Sequence, residues 1–317
     1  MTQTIFVTGG SGFIGSRFVH HALQNGRHIQ ALTRSEKSAE KMRALGAEPI
    51  LGDMLQPGSW QEAAAQAQVV VHLAQPETYG TRITRERAEK FRQERLRMDA
   101  NLLDVLKPDP ERRVIYVGGT SYYGSQGEQL VDESATPHPK GWGPYIAPAI
   151  EALNGYVANG LPIILAFPSW VYGPGSWFIE YTLDPLVQGK PIIKLTGAVR
   201  TISFVHVEDA ARALLHLIDH GEVGQRYFIT DDQPHKRLHI GEIAARVLNV
   251  PMKVLSLPMF LVKLAAGPVI ADSLLTEAQL SNARLKSTGF KFEYETLEQG
   301  VPDAIERWRK QTASDTA

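Results

Sequence analysis

The chain has 317 residues, of which 43% are hydrophobic and 21% are charged, and this balance excludes an intrinsically disordered protein. Lysine and arginine total 33 and aspartate and glutamate total 34, so a generally basic nucleic-acid-binding protein is excluded as well. There is no cysteine, which rules out disulfides, thiolate metal ligands and cysteine nucleophiles and fits a reducing cytoplasm.

The apolar segments are too short or too interrupted for a membrane span. No positive charge precedes Ile5, and the apolar stretch that starts there has only three residues, so no signal peptide is expected. A longer apolar run at 258–275 is interrupted by Lys263 and Asp272, and we interpret it as a buried or pocket-lining helix. We therefore expect a cytoplasmic protein without membrane contact.

Strand-like and helix-like segments alternate through the first half of the chain. Strands are predicted, in chain order, at 5–7, 28–32, 49–51, 69–73, 113–117 and 162–167. Helices are predicted between them at 13–25, 36–45, 85–106 and 148–159. This alternation, with apolar runs that lack a two-residue period, indicates a parallel sheet covered by helices on both faces.

A glycine-rich turn joins the first predicted strand to the first predicted helix. The segment Thr8–Gly15 reads TGGSGFIG. Glycines let backbone N–H groups approach a pyrophosphate, and the helix N-terminus adds a partial positive charge. The spacing therefore predicts a dinucleotide-binding turn. Its contact residues are expected to be Gly9, Gly12, Phe13, Ile14 and Gly15.

The residues after the second strand indicate which dinucleotide binds. NAD-binding proteins usually have an acidic residue there, which accepts a hydrogen bond from the ribose 2′-hydroxyl. This chain has Arg34 and Ser35 instead, and a guanidinium can pair with a 2′-phosphate. NADP is therefore favoured over NAD as the cofactor. Asp53 and Met54, after the third strand, are candidates for adenine contact, and a capping role for Asp53 stays open.

The pattern changes beyond residue 168, where glycine, proline and aromatic residues become frequent. We predict a Rossmann-type doubly wound parallel sheet with a small C-terminal substrate-binding portion. Residues 1–167 would form the dinucleotide-binding domain, and residues 168–310 would form mainly the substrate-binding portion, interleaved with the sheet. Residues 311–317 are small and polar and are expected to form a flexible tail.

Several motifs together resemble the extended short-chain dehydrogenase/reductases, an NAD-dependent epimerase/dehydratase-like family that includes dihydroflavonol-type reductases. Thr8–Gly15 is similar to the TGxxGxxG turn of this family, Gly52–Asp53 to its adenine-contact motif and Tyr122–Gly124 to its VYG. Pro168–Gly175 and Phe204–Arg212 resemble its RPxxVYGPG and FVHVDDVARA elements, although phenylalanine replaces the first arginine. The resemblance covers most of the chain. It implies that Leu73, Ala74, Pro168 and Val171 line the cofactor site.

The family's catalytic pair is a tyrosine followed four residues later by a lysine, and only the tyrosine is present here. The resemblance places it at Tyr145, as a proton donor to the substrate, and Ala149 stands in the position of the lysine. Alanine supplies neither charge nor a side-chain hydrogen bond, so this site is expected to donate a proton rather than to act as a base. Thr120 and Ser121 are candidates to hold the substrate oxygen, and Tyr123 is a second candidate proton donor.

Aromatic residues and one arginine are candidates for the substrate pocket. They are Tyr122, Trp142, Trp170, Trp177, Tyr181 and Arg200. Aromatic side chains also fill protein cores, and an arginine can equally be a surface residue, so both interpretations stay open. No metal site is predicted. The charged run Glu86–Arg95 is interpreted as a solvated helix face.

These residues predict an NADP(H)-dependent oxidoreductase that reduces a small organic carbonyl or conjugated substrate with non-standard acid–base residues. Two alternatives stay open: an epimerase, lyase or isomerase that holds NAD(P) tightly, and a non-catalytic dinucleotide-binding protein. The expected partner is a small molecule and not nucleic acid. The family resemblance also suggests a homodimer packed through the helices at 85–106 and 148–159.

Overall fold

Strands and helices alternate along the chain in the computed structural model, which describes residues 3–78, 82–196 and 200–315. The strands are β1 (Thr4–Thr8), β2 (His28–Thr33), β3 (Glu48–Leu51), β4 (Val69–His72), β5 (Arg113–Val117), β6 (Leu130–Val131), β7 (Ile163–Pro168), β8 (Trp170–Tyr172), β9 (Ile192–Leu195), β10 (Thr201–Ile202), β11 (Phe204–His206), β12 (Arg226–Ile229), β13 (His235–Lys236), β14 (Val254–Leu257) and β15 (Gln279–Leu280). The helices are α1 (Phe13–Gln24), α2 (Glu36–Leu45), α3 (Trp60–Gln66), α4 (Arg85–Leu103), α5 (Gly143–Ala158), α6 (Asp184–Val187), α7 (Val207–His220), α8 (His239–Leu248), α9 (Met259–Ala266), α10 (Pro268–Leu274), α11 (Ala283–Ser287) and α12 (Leu297–Asp315). A 3-10 turn at Thr120–Tyr122 and a π-helical turn at Ile179–Leu183 lie between them.

Seven of these strands form one parallel sheet in the order β12–β7–β5–β4–β1–β2–β3. In the central strand β1, Val7 pairs with Ala31 of β2 on one side and with Val71 of β4 on the other. Because the chain winds outward in both directions from β1, a crevice opens at the carboxyl ends of β1 and β4. The predicted α/β fold with a doubly wound parallel sheet is confirmed.

Helices cover both faces of this sheet. On one face α1 packs against α7, and Phe18 and Leu214 are fully buried there. On the other face α4 packs against α5, where Leu102 and Leu153 are at most 1% exposed. Full burial of each such side chain contributes about 1.5–3 kcal/mol to folding. The two apolar layers therefore hold the carboxyl edge of the sheet in a fixed shape.

The chain beyond β7 contributes both to the sheet and to a separate core. Strand β12 adds the edge of the large sheet beside β7. Most of the remainder forms small strand pairs and a third apolar core that includes Tyr172, Phe178 and Leu297. Since β8 follows the carboxyl end of β7 almost directly, this portion lies beside the crevice.

Two helical segments differ from the sequence prediction. Helix α5 begins at Gly143 rather than at Pro148, so this proline lies inside the helix. Packing of the helix on the sheet outweighs the one backbone hydrogen bond that a proline cannot donate. The run at 258–275 forms two helices, and the expectation of burial is wrong for α9, where Phe260 is 67% and Leu264 is 68% exposed.

Helix α12 is the last element of the described chain. It runs to Asp315, so most of the segment expected to be a flexible tail is helical, and residues 316–317 lie outside the described part. Within the residues that the structure describes, no helix is long and apolar enough to cross a membrane.

Candidate active site

A cleft of about 950 Å³ lies at the carboxyl edge of the sheet. It extends from the ends of β1 and β2, past β4 and β5, to the start of β8. All thirteen residues predicted to contact the cofactor line this cleft, namely Gly9, Gly12, Phe13, Ile14, Gly15, Arg34, Ser35, Asp53, Met54, Leu73, Ala74, Pro168 and Val171. The fold therefore brings them together, and their contacts with a cofactor stay a prediction.

The turn between β1 and α1 is closed too tightly for side chains. Gly9 has a φ of +73°, and a Cβ at this residue would lie 2.7 Å from the backbone nitrogen of Ala74. A Cβ on Gly15 would lie 2.1 Å from the carbonyl oxygen of Gly9. Gly12 caps the N-terminus of α1 at the cleft. The free N–H groups and partial positive charge of that helix end fit a pyrophosphate.

Two cations lie near the part of the cleft formed by β2 and α2. Nη2 of Arg34 donates to Oε1 of Glu77 at 2.8 Å, and both side chains are about half exposed. Ser35 caps the N-terminus of α2 with its hydroxyl. Lys41, which is not among the residues predicted from the sequence, donates to the carbonyl oxygen of Ser11 at 2.8 Å. A guanidinium held by an exposed carboxylate can exchange that partner for a phosphate.

Asp53 caps the turn that follows β3. Its Oδ1 accepts a hydrogen bond from the Leu55 N–H at 2.9 Å, and Asp53 also lines the cleft. The neighbouring carbonyl of Met54 accepts a hydrogen bond from Asn101 at 2.7 Å. The capping role is thus observed, and it leaves the predicted adenine contact open.

A buried polar network lies beneath the cleft. Its members are at most 5% exposed and comprise Thr8, His72, Arg95, Asp99 and Tyr116. The hydroxyl of Tyr116 donates to Oδ2 of Asp99 at 2.6 Å, and Nε2 of His72 lies 2.8 Å from Oδ1 of Asp99. Burial lowers the pKa of His72 and favours its neutral form. The Asp99 carboxylate thus has two polar partners away from water, and Arg95 is a third.

The charged run Glu86–Arg95 is not solvated throughout. Arg95 is only 3% exposed, and its Nε lies 2.9 Å from Oδ1 of Asp99. The interpretation of the run as a solvated face is therefore wrong for its last residue. The buried side chains of Phe91, Met98 and Leu102 lie at helical spacing around it. That spacing is the sequence signal that places Arg95 on the inner face of α4.

Tyr145 lies in the first turn of α5. Its ring centroid is 6.4 Å from that of Trp142, in a small apolar cluster with Ile83 and Val269. No hydrogen bond ties its hydroxyl to another described residue. Ala149, on the next turn, is 3% exposed, so a buried methyl group occupies the position where a lysine was expected from the resemblance.

The 3-10 turn that contains Thr120 and Ser121 packs against the same end of α5. A Cβ added to Gly143, the first residue of α5, would lie 2.1 Å from the carbonyl oxygen of Ser121. The turn starts two residues after Gly118, which lines the cleft, and both hydroxyl residues are partly buried. The structure therefore brings Thr120 and Ser121 to the neighbourhood of Tyr145.

Tyr122 and Tyr123 belong to the core. They are 4% and 0% exposed, and their rings lie 6.1 Å and 5.4 Å from the ring of Phe167. The hydroxyl of Tyr123 donates to the carbonyl oxygen of Glu133 at 3.1 Å, and burial raises the pKa of this phenol. None of the five catalytic or substrate candidates Thr120, Ser121, Tyr122, Tyr123 and Tyr145 is among the residues that line the cleft. Tyr122 and Tyr123 differ from the partly exposed Tyr145 because they are buried in the core. Burial in the core therefore argues against a proton-donor role for Tyr123 and against a substrate contact for Tyr122.

Two tryptophans lie just past the β8 end of the cleft. The rings of Trp170 and Trp177 are 5.6 Å apart, and Nε1 of Trp177 donates to the carbonyl oxygen of Val171 at 2.8 Å. The guanidinium of Arg237, which is not among the predicted residues, stacks 4.1 Å from the ring of Trp170. These side chains form an aromatic wall with one cation beside the cleft.

The other three substrate candidates have different contacts, and of these only Arg200 adjoins the aromatic wall, where its carbonyl oxygen accepts a hydrogen bond from the Arg237 N–H at 3.1 Å. Trp142 packs 4.9 Å from the ring of Phe91, Tyr181 is 61% exposed, and Nη1 of Arg200 pairs with Glu277 at 3.1 Å. Trp142 thus adjoins Tyr145 rather than Trp170. In the described part of the chain, no three His, Asp or Glu residues are grouped so that they could hold a metal ion.

A family model matches this chain over residues 5–230, and its description is the NAD dependent epimerase/dehydratase family. A farnesyl-dihydroquinoline-oxide ketoreductase of Stigmatella aurantiaca is 24% identical over 288 residues, which is 88% of this chain and 84% of that protein. A dihydroflavonol 4-reductase of Hordeum vulgare is 26% identical over 324 residues, covering 92% of this chain and 85% of that protein.

Solved structures share the fold along almost the whole chain. The dTDP-glucose 4,6-dehydratase of Bacillus anthracis in complex with NAD superposes with a TM-score of 0.80 and 21% identity, covering 99% of this chain and 98% of that one. A human epimerase family protein with NADPH gives a TM-score of 0.77 and 18% identity over 96% of this chain and 99% of that one.

The family match spans the glycine turn, the cleft and Tyr145. It confirms the predicted resemblance to the extended short-chain dehydrogenase/reductases and the prediction of an NAD(P)-dependent enzyme of that type. The chain belongs to the NAD-dependent epimerase/dehydratase family.

Proposed function

We propose that this protein is an NADP(H)-dependent oxidoreductase that reduces a small organic carbonyl or conjugated substrate. The observation that carries the proposal is the pairing of a cleft that fits a dinucleotide with a tyrosine, Tyr145, that has Ala149 one helical turn away. The two relatives described above are named as reductases. A homodimer and a cytoplasmic location belong to the same proposal.

The preference for NADP rests on Arg34. Its side chain is 54% exposed at the cleft, and its partner Glu77 is 52% exposed, so water already weakens this ion pair. A 2′-phosphate carries more charge than a carboxylate and accepts from the same guanidinium. Lys41 adds a second positive charge beside the glycine turn. These charges favour a phosphorylated ribose.

The proposed chemistry requires a proton donor and not a base. A bound nicotinamide supplies the hydride in such reactions. Tyr145 carries a phenol that can donate a proton to the oxygen that becomes negative, and Ala149 places no ammonium beside it. Thr120 or Ser121 would hold that oxygen. The reverse reaction, alcohol oxidation, needs a base that Ala149 does not help to create.

The first test follows NADPH consumption by absorbance with a panel of ketones, aldehydes and conjugated carbonyls. Net consumption supports the proposal. Product formation at constant cofactor absorbance would instead indicate an epimerase, lyase or isomerase. Binding of NADPH without turnover would indicate a non-catalytic dinucleotide-binding protein, which the missing lysine also favours.

Tyr145→Phe tests the proton donor directly. Loss of a general acid typically costs about 10²- to 10⁴-fold in rate, so we expect kcat for carbonyl reduction to fall by that order. The control is Tyr156→Phe on the same helix, whose hydroxyl donates to Asp104 at 2.6 Å outside the cleft. Equal kcat values for the two variants would remove Tyr145 from the mechanism.

A further inference from the structure

Within the described residues, Arg237 is a cation without a counter-ion, and it lies beside the aromatic wall. Its guanidinium carbon is 4.1 Å from the centre of the Trp170 ring. Burial lowers the pKa of Arg237 to about 10, so the group is still charged at neutral pH. Its Nη1 is buried and has no hydrogen-bond partner, and its Nη2 donates to the carbonyl oxygen of Leu274 at 3.4 Å, which is long for a hydrogen bond.

Two other buried arginines show how this chain normally satisfies such a group. Nε of Arg95 lies 2.9 Å from Oδ1 of Asp99. Arg112 is 7% exposed and donates to three carbonyl oxygens at 3.2, 2.9 and 2.6 Å. Buried charges are normally paired or fully hydrogen-bonded, and Arg237 is neither. Its free donor therefore indicates an acceptor that comes from outside the chain.

Arg200 lies next to Arg237 and leaves the charge of Arg237 uncompensated. The Arg237 N–H donates to the Arg200 carbonyl oxygen at 3.1 Å. Nε of Arg200 and Oγ1 of Thr276 are also buried without a partner in the part of the chain that the structure describes. The charge of Arg200 is matched by Glu277, whose Oε2 lies 3.1 Å from Nη1. This corner of the C-terminal portion thus has one positive charge in excess.

One short helix connects this corner with the proposed catalytic tyrosine. Val269 of α10 packs in the same apolar cluster as Tyr145. Leu274, the last residue of that helix, provides the carbonyl oxygen for Arg237. At 1.5 Å per residue, the two contacts are separated by about 7.5 Å along the helix. A single small molecule can therefore reach both the phenol and the guanidinium.

The aromatic wall adjoins the cleft itself. Ser169 and Val171, on either side of Trp170 in the chain, both line the cleft. The ring of Trp177 lies 5.6 Å from that of Trp170. The side chains of Arg237, Trp170 and Trp177 are all partly exposed, so a molecule at the β8 end of the cleft can contact them.

We propose that Arg237 binds a carboxylate of the substrate and that Trp170 and Trp177 contact the apolar part next to it. The guanidinium turns over the Trp170 ring to bring its free donor to the carboxylate, and it gives up the long bond to Leu274. The inference rests on the proposed function, because it assumes that a carbonyl is reduced beside Tyr145. The substrate is then a ketone or aldehyde whose carboxylate lies several bonds from the carbonyl carbon.

A carboxylate fits this corner better than a phosphate. Glu277 already neutralises Arg200, so one positive charge remains, and a carboxylate carries one negative charge. A phosphate monoester carries about 1.5 to 2 negative charges at neutral pH, so part of its charge would be buried without a partner. A planar carboxylate also pairs with a guanidinium through two parallel hydrogen bonds.

The test compares three aryl ketones that differ only in the group at the end of a short alkyl chain. They are 4-benzoylbutanoate, its methyl ester and 4-oxo-4-phenylbutyl phosphate. Binding is measured by isothermal titration calorimetry with and without NADPH, so the result does not depend on turnover. We expect the carboxylate to bind roughly 10- to 100-fold more tightly than the ester, which is the scale of a charge-assisted hydrogen bond, and more tightly than the phosphate.

Three variants assign this preference to Arg237. Arg237→Met should bind 4-benzoylbutanoate about as weakly as the wild type binds the ester, while its affinity for the ester should stay within about twofold. Arg237→Lys keeps the charge without the planar guanidinium, so it should show a smaller selective loss, and it carries the test if Arg237→Met does not fold. Arg246→Met removes an exposed arginine from α8 and should change no affinity.

The possible failures are distinguishable. The inference would be overturned if wild type bound 4-benzoylbutanoate no better than the ester, if it bound the phosphate more tightly, or if both Arg237 variants kept the carboxylate preference. Equal losses for all three ligands in both variants would show that Arg237 has only a structural role and would overturn it as well. Carboxylate-selective binding without NADPH consumption in the carbonyl panel would instead overturn the proposed function and leave the anion site in place.

Discussion

Ala149 decides the direction of the proposed chemistry at the scale of single residues. Its buried methyl group offers no positive charge that could stabilise a phenolate one helical turn away. A site that keeps its proton can deliver it to a developing alkoxide. Reduction is therefore the direction that these two residues favour.

Arg34 provides a residue-scale prediction about the cofactor. Replacing Arg34 by alanine removes the proposed partner of the 2′-phosphate. We expect the Kd for NADPH to rise about 10- to 100-fold and the Kd for NADH to change little, as measured by fluorescence titration.

Arg43 is a matched control for this experiment. It pairs with Glu36 at 2.5 Å and is 51% exposed, which is close to the exposure of Arg34, but it does not line the cleft. Arg43→Ala should leave both affinities unchanged. Parallel weakening of NADPH and NADH in Arg34→Ala would contradict a specific contact with the phosphate.

At the scale of elements, two glycines in helices show why the sequence alone cannot tell a required glycine from a replaceable one. Gly15 lies in the first turn of α1 against the backbone of the glycine turn, whereas Gly155 in α5 has no atom within 4 Å of its would-be Cβ. Both are glycines in predicted helices. Only the tertiary contact distinguishes a required glycine from a replaceable one.

Gly15→Ala tests this difference. The added methyl group meets the Gly9 carbonyl at 2.1 Å, so the turn must move. We expect a loss of about 1–3 kcal/mol in the free energy of unfolding, together with weaker NADPH binding. In Gly155→Ala, stability should be equal or up to about 1 kcal/mol higher, because alanine favours a helix. Thermal unfolding with and without NADPH measures both, and equal effects of the two variants would contradict a tightly closed turn.

At the scale of the whole molecule, the C-terminal portion is joined to the sheet through β12. Asp231 follows this strand, is 2% exposed, and its N–H donates to the carbonyl oxygen of Phe204 at 2.8 Å. Burial raises the pKa of Asp231 to about 8. The carboxyl group of Asp231 therefore stays protonated in the folded state at neutral pH.

This carboxyl group makes stability depend on pH in a defined direction. The unfolded chain releases the proton near its ordinary pKa of about 3.9, so between about pH 4 and pH 8 the folded state holds more protons. The contribution of this carboxyl group to the free energy of unfolding is fully present below about pH 4 and is lost as the pH rises towards about 8. Asp231→Asn cannot ionise. Its Tm relative to wild type should therefore increase from pH 4 to pH 8.

The neighbouring Asp232 is a suitable comparison. It accepts hydrogen bonds from Asn282 at 2.7 Å and from Lys286 at 2.6 Å near the surface, so Asp232→Asn loses an ion pair. It should not gain stability at pH 8. A Tm difference for Asp231→Asn that stays flat between pH 4 and pH 8 would show that this carboxyl group ionises normally in the folded protein.

The sequence by itself determined the fold class and the location of the cleft. The signals for both are local: alternating strands and helices, the TGGSGFIG turn and the residues after β2. Such features depend on residues that are close together in the chain, and not on distant contacts. Every predicted cofactor residue lies at or beyond the carboxyl end of a strand of the parallel sheet. Since those ends share one edge of the sheet, the thirteen residues meet at one cleft.

Only the tertiary structure decided which partners the buried polar and aromatic side chains find. Arg95 belongs to a run of charges that looks solvated, yet Asp99, Tyr116 and the Ala74 carbonyl satisfy it inside the molecule. Tyr123 carries a phenol that could donate a proton, but it packs in the core. Burial and hydrogen-bond partners depend on residues that are distant in the chain. For that reason they emerge only when helices and strands are packed together.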